Sequence, residues 1–187
     1  MPAHEHKIDH KTDRKSLLPL KIETERLVLR PPMRADVPDL VSQADNPRIA
    51  RLVSLPSPYT RADAVGFVKI TAQRDTERAW CVTLRHGGTF IGVSSVMFAD
   101  GFPPEIGYWF GEAYWGRGFA SEAVTAMIAA AWAHGAFPVI GAQVLAHNYG
   151  SARVLEKCGF SFSHDGLAAG GPHKGKTMKH YRLERRP

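Results

Sequence analysis

The residues of this chain best suited to chemistry fall between positions 105 and 160. Trp115-Gly116-Arg117-Gly118-Phe119-Ala120-Ser121-Glu122-Ala123 is a glycine-rich turn running into a helical pattern. A turn of this kind leaves backbone N–H groups free at a helix N-terminus, where they hold a phosphate or pyrophosphate. Asn148-Tyr149-Gly150-Ser151 starts a second helix, which stops at Gly159-Phe160. A carboxylate, Glu105, stands on the short strand leading to the first turn. Together these segments point to a nucleotide-like ligand.

Two familiar phosphate sites compete for the assignment. Gly170-Gly171-Pro172-His173-Lys174-Gly175-Lys176-Thr177 fits the G-x-x-x-x-G-K-[ST] pattern of a P-loop. A P-loop must join a buried strand to a helix. Only ten residues follow Thr177, and Met178 to Leu183 alternate like a strand, so a basic hairpin loop is expected instead. A dinucleotide fingerprint fares no better. Gly116-x-Gly118-x-x-Ser121 lacks the third glycine, and no acidic residue ends the next strand to hold a ribose.

The elements around these residues are readable from periodicity and punctuation. Residues 20–30 alternate as a first strand. Residues 36–43 read as a short helix that Asn46-Pro47 breaks, and Thr60 caps a helix over 61–74. Strands are expected at 79–85 and 89–98, joined at Gly87-Gly88, and at 105–110 after Pro103-Pro104. The glycine-rich turn opens a helix to about residue 134, with Val124, Ile128 and Ala131 on its buried stripe. A strand at 139–145, a helix capped by Asn148, and strands at 160–164 and 177–183 complete the order. The order β-α-α-β-β-β-α-β-α-β-β gives a mixed, mostly antiparallel sheet with helices on its faces.

Length and composition set the frame. The 187 residues suit one domain over residues 19–187, preceded by a polar, flexible arm at 1–18. His4, His6 and His10 in that arm have no scaffold for a metal, and no metal is expected elsewhere. Hydrophobic content of 44% and charge of 22% fit a soluble globular protein. The longest nearly apolar run, 123–133, interrupted by Thr125, is too short for a bilayer, so no membrane partner is expected. The polar N-terminus carries no secretory h-region, and two cysteines make no disulfide framework, so a cytoplasmic setting is expected. The net charge of +6 concentrates near the end, where residues 172–187 set six Lys or Arg against Glu184 alone. Without interleaved aromatics this reads as a guarded edge strand rather than a nucleic-acid platform.

Trp115-x-x-Gly118-x-Ala120 resembles the R/Q-x-x-G-x-G/A pyrophosphate loop of the GNAT acetyltransferases. The strand Glu105-Ile106-Gly107-Tyr108-Trp109 precedes it, and Asn148-x-x-Ser151-x-x-Val154-Leu155-Glu156-Lys157-x-Gly159-Phe160 follows. With these the chain is similar to the branch acting on ribosomal-protein N-termini, RimJ/RimL-like. The likeness extends through Glu25-Arg26-Leu27-Val28-Leu29-Arg30, Asn46-Pro47 and Tyr59-Thr60-Arg61, and so covers about residues 20–185.

The resemblance implies an α+β fold in three layers, with about six to seven strands and about four helices. It implies acetyl-CoA as acyl donor and a primary amine, on a protein N-terminus or a small molecule, as acceptor. The pyrophosphate would rest on Gly116, Arg117, Gly118, Phe119 and Ala120, flanked by Trp109, Phe110 and Trp115. The pantetheine arm would lie between the strands at 105–110 and 139–145, with Asn148 and Ser151 beside the thiol. Glu105 is the candidate general base; by alternation it shares a face with Gly107 and Trp109. Leu155 stands where many members carry a tyrosine acid, which leaves Ser151, Tyr149 or unaided thiolate departure. Acceptor choice is expected in loops 46–59, 98–104 and 167–176. The family admits a homodimer. The rival classes are a non-catalytic CoA-binding module and a ribosome- or nucleic-acid-associated one.

Overall fold

The computed structural model describes residues 14–71, 74–133 and 135–185. Eight strands form one sheet: β1 (Ile22–Glu23), β2 (Leu27–Arg30), β3 (Glu77–Leu84), β4 (Phe90–Met97), β5 (Glu105–Phe110), β6 (Val139–Leu145), β7 (Ser161–Leu167) and β8 (Thr177–Glu184). Five helices accompany it: α1 (Val37–Ala44), α2 (Pro47–Ala50), α3 (Arg61–Gly66), α4 (Phe119–Trp132) and α5 (Tyr149–Lys157). The strand order is β1-β2-β3-β4-β5-β6-β8-β7. Only β5 and β6 pair in parallel; the other neighbours are antiparallel.

The fold is the expected one with one more strand and one more helix. The single strand expected at 20–30 is two, because the Leu27 N–H donates to Thr24 Oγ1 at 2.9 Å and closes a turn between them. Asn46-Pro47 ends α1 as expected but also starts α2: the Asn46 side chain accepts from Arg48 N, and Pro47 needs no amide donor at a first helical position. The helix expected over 61–74 is α-helical only to Gly66 and continues as a wider π turn, Phe67–Thr71. Of the segment read as an arm, residues 1–13, with the three histidines, lie outside the described residues. Residues 14–18 pack on the body, with Leu18 buried.

A core lies on each face of the sheet. On one, α4 buries Phe119, Ala123, Val124, Met127, Ile128 and Ala131 against Leu29, Trp80 and Ile91, and α5 adds Leu155. On the other, Val37 and Leu40 of α1 and Ala64 of α3 meet Cys81, Phe90 and Val93. Covered on both sides, β4 is buried from Phe90 to Val96, as a central strand requires. One discontinuity positions the site. β5 and β6 pair only at Glu105–Gly141 and Ile106–Ala142. Beyond that point β6 stays with β8 along its length, and a gap opens beside residues 107–110.

Candidate active site

The glycine-rich turn stands at the wide end of this gap. Gly116 and Gly118 both have left-handed φ, 72° and 80°, which a side chain would strain. Gly118 caps α4 without any side-chain acceptor. Glu122 is the first N–H taken up, by the Gly118 carbonyl at 3.1 Å, so the N–H groups of Phe119, Ala120 and Ser121 remain at the positive end of a 14-residue helix. Arg117 lies over the rings of Tyr114 and Phe119, at 6.0 and 5.1 Å. Glu122 has a different task. It accepts from Thr24 Oγ1, Arg26 N and Arg26 Nε, and so ties the β1–β2 turn to α4. Burial works against its charge, but these bonds prevail and hold its carboxyl below the ordinary value.

A cavity of about 680 Å³ runs from the turn into the gap. Trp109, Phe110, Trp115, Gly116, Gly118, Phe119, Ala120, Asn148 and Ser151 all line it; Arg117 does not. The Trp109 carbonyl points at β4, where a Cβ added to Gly92 would meet it at 2.3 Å. Alternation therefore turns the N–H and C=O of Tyr108 and Phe110 toward the gap. The Phe110 carbonyl takes the Trp115 indole N–H at 2.7 Å; among the described residues its N–H has no β6 partner, since β5 and β6 pair only at Glu105 and Ile106. The free helix N–H groups, this strand amide and the cavity lined from the turn to Ser151 fit a pyrophosphate with a long thioester arm.

At the narrow end α5 begins. Asn148 is buried, accepts from Ser151 N at 3.1 Å and donates to the Leu52 carbonyl at 3.1 Å. Tyr108, which no local pattern singles out, donates its hydroxyl to the Ser151 carbonyl at 3.2 Å. Burial raises its pKa, so the phenol keeps its proton. Tyr149 is exposed. Cys158 is a free thiol near Thr125 and the Ser121 carbonyl, and burial raises it.

A second cavity, of about 310 Å³, meets the first across the gap; both are lined by Leu52, Val53, Tyr108, Trp109, Asn148 and Ser151. Glu105 lines neither. Its carboxylate oxygens take both contacts of the Gln143 amide, at 2.7 and 2.8 Å, and Gln143 faces the second cavity. Glu77 lines that cavity directly. Burial raises its carboxyl above the ordinary value, against a hydrogen bond from Ser95.

The wall shared by the two cavities is a further component hidden from the sequence. Three consecutive carbonyls of one segment are held by side chains from elsewhere: Arg51 by His147 Nε2 at 3.0 Å, Leu52 by Asn148, and Val53 by His173 Nε2 at 3.1 Å. Upstream, Glu112 bonds both Asn46 and Arg48. None of these partners is local, so no pattern along the chain announces them.

Residues 26–161 match the model of the acetyltransferase (GNAT) domain family. The uncharacterized N-acetyltransferase YoaA of Bacillus subtilis (strain 168) is 26% identical over 144 residues, covering 74% of this chain and 81% of that protein. A GNAT-family acetyltransferase from Bacillus anthracis superposes with a TM-score of 0.78 at 22% identity, covering 88% of this chain and 98% of the other. RimL, the ribosomal L7/L12 alpha-N-protein acetyltransferase, solved with coenzyme A, gives 0.77 at 17% identity, with 88% and 97% covered. At these identities the two structures speak for the fold.

Proposed function

We propose that this chain, which belongs to the GNAT acetyltransferase family, is an acetyl-CoA-dependent N-acetyltransferase that acts on a primary amine by direct transfer within a ternary complex. The observation that carries the reading is the meeting of two cavities at the β5–β6 gap. One has the free amides of a helix N-terminus at its far end and suits the acyl donor. The other lies on the opposite side of the gap and suits the acceptor. A reacting pair held this way needs no covalent enzyme intermediate.

The residues divide the work as follows. The amides of Gly116, Gly118, Phe119 and Ala120 bind pyrophosphate, with Arg117 adding charge at the rim. The Phe110 N–H polarises the thioester carbonyl. The amine nitrogen attacks that carbon, a C–N bond forms, and the C–S bond breaks. Glu105 takes the amine proton through a water, and the thiolate is protonated from the Ser151 hydroxyl or departs unaided. The motif pattern favours the RimJ/RimL-like branch, and two free cysteines suit a reducing cytoplasm.

The test is binding and turnover on one protein. Acetyl-CoA at a hundredfold excess over its Kd should stabilise by about 2.7 kcal/mol, and hence raise Tm by about 5–10 °C in a chain of this size. Gly118→Glu, which puts a charge and a strained φ at the cap, should abolish the rise. Thiol release across a panel of peptides and small amines then separates enzyme from binder. Absence of any shift at millimolar acetyl-CoA would sink the proposal.

A further inference from the structure

We propose that the smaller cavity is built for an aliphatic diamine, one amine presented at the gap for acetylation and the other held as an ammonium ion by Glu77. The inference rests on the amine-transfer reading above and adds the class of acceptor. Between its two ends the cavity is walled by apolar side chains, among them Leu40, Leu55, Val93 and Met97. Its floor is kept open by Gly107, where a Cβ would stand 3.2 Å from Met97 Cε and 3.5 Å from Ser95 Oγ. Its volume, about 310 Å³, corresponds to roughly ten waters' share of the liquid. That is ample room for a short chain of methylenes.

Glu77 is placed to bind rather than to react. It pairs with Met97, which pairs in turn with Glu105, so the three lie in one row across the sheet. Gly107 is one same-face step further along β5. Strand spacing and rise then separate the Cα atoms of Glu77 and Gly107 by roughly 12 Å. That distance is too great for taking a proton from an amine at the gap, and suited to the far end of an extended acceptor.

The Glu77 end of the cavity also suits a cation. The carboxyl is desolvated, and the charges of Arg74 and Lys15 do not offset its burial. A carboxylate in that state gains from a cation delivered to it, since the desolvation has already been met by the fold.

The experiment is steady-state thiol release from acetyl-CoA with straight-chain α,ω-diamines of increasing length, each against its matching monoamine. Wild-type protein should prefer one diamine length over the monoamine by on the order of tenfold or more in kcat/KM, the ratio that a modest charge contact yields. Glu77→Gln should collapse that ratio toward one. Glu77→Asp, which withdraws the carboxylate by one methylene, should move the optimum to a longer diamine. Equal turnover of diamines and monoamines by wild type, or a ratio unmoved in both variants, overturns the inference and leaves the transferase reading intact. Acetyl-CoA binding without thiol release on any amine instead removes the transferase reading itself.

Discussion

The side-chain amide of Gln143 reaches both carboxylate oxygens of Glu105, at 2.7 and 2.8 Å. The amide nitrogen donates and the carboxylate oxygens accept, so the pairing fixes where the Glu105 side chain stands. Gln143 also lines the smaller cavity, and thus joins Glu105 to the space proposed for the acceptor.

If Glu105 takes the amine proton, Glu105→Gln should lower the acetylation rate by about 10²–10⁴-fold, the usual worth of general base catalysis. The loss should be deepest below the solution pKa of the acceptor, where little free amine exists. Gln143→Ala should lower the rate less, and Gln143→Glu more than Gln143→Ala, since a second carboxylate repels the first. A pH–rate profile unchanged in Glu105→Gln would remove Glu105 from the role.

The segment with the P-loop pattern has another use. His173 is 4% exposed, its Nε2 lies 3.1 Å from the Val53 carbonyl, and Lys176 Nζ lies 3.3 Å from Nδ1. With Nε2–H donating to the carbonyl, Nδ1 accepts from the lysine. Leu52 and Val53 wall both cavities. His173→Ala should therefore raise KM for acetyl-CoA and for the acceptor together, with a stability cost of about 1–3 kcal/mol for the unpaired carbonyl. His173→Asn, which keeps a donor, should restore part of both. ATP should leave Tm unchanged; a rise matching that from acetyl-CoA would reinstate the P-loop.

Local signals made the frame legible. Asn148 and Thr60 cap helices because a short polar side chain before a periodic run has few better uses. Gly118 starts α4 because a left-handed turn needs it. Strand alternation located β3 to β6 and β8 within a few residues. Long-range register was not legible. That Gln143 meets Glu105, that Glu77 shares a row with it, and that three side chains clasp the carbonyls of 51–53 all follow from which strands adjoin. Tyr108 was missed because alternation assigns it to the face away from Trp109; only where β5 loses its neighbour do both faces reach the same space.

The pH dependence of stability should carry two opposing carboxylates. Asp36 is buried and takes two bonds from Arg30, at 2.6 and 2.8 Å, and one from Met33 N. Burial opposes its charge, but these partners prevail and hold its pKa below the ordinary value. A group depressed in the folded state contributes stability above its unfolded pKa and loses it as pH falls through the folded one. Asp36→Asn should thus flatten the acid limb, and should cost about 3–5 kcal/mol at neutral pH by leaving Arg30 without its partner. Glu77 has the reverse sign. Its pKa is raised in the folded protein, so stability declines as pH rises from the unfolded carboxylate value, about 4.3, through the folded one. That cost persists at neutral pH. Glu77→Gln should therefore raise Tm at pH 7 without acceptor, and the gain should shrink toward zero near pH 4, as thermal melts across that range will show. A carboxylate that weakens the fold at working pH is what a binding site kept for a cation requires. A lower Tm for Glu77→Gln at pH 7 would mean that the charge serves the fold instead.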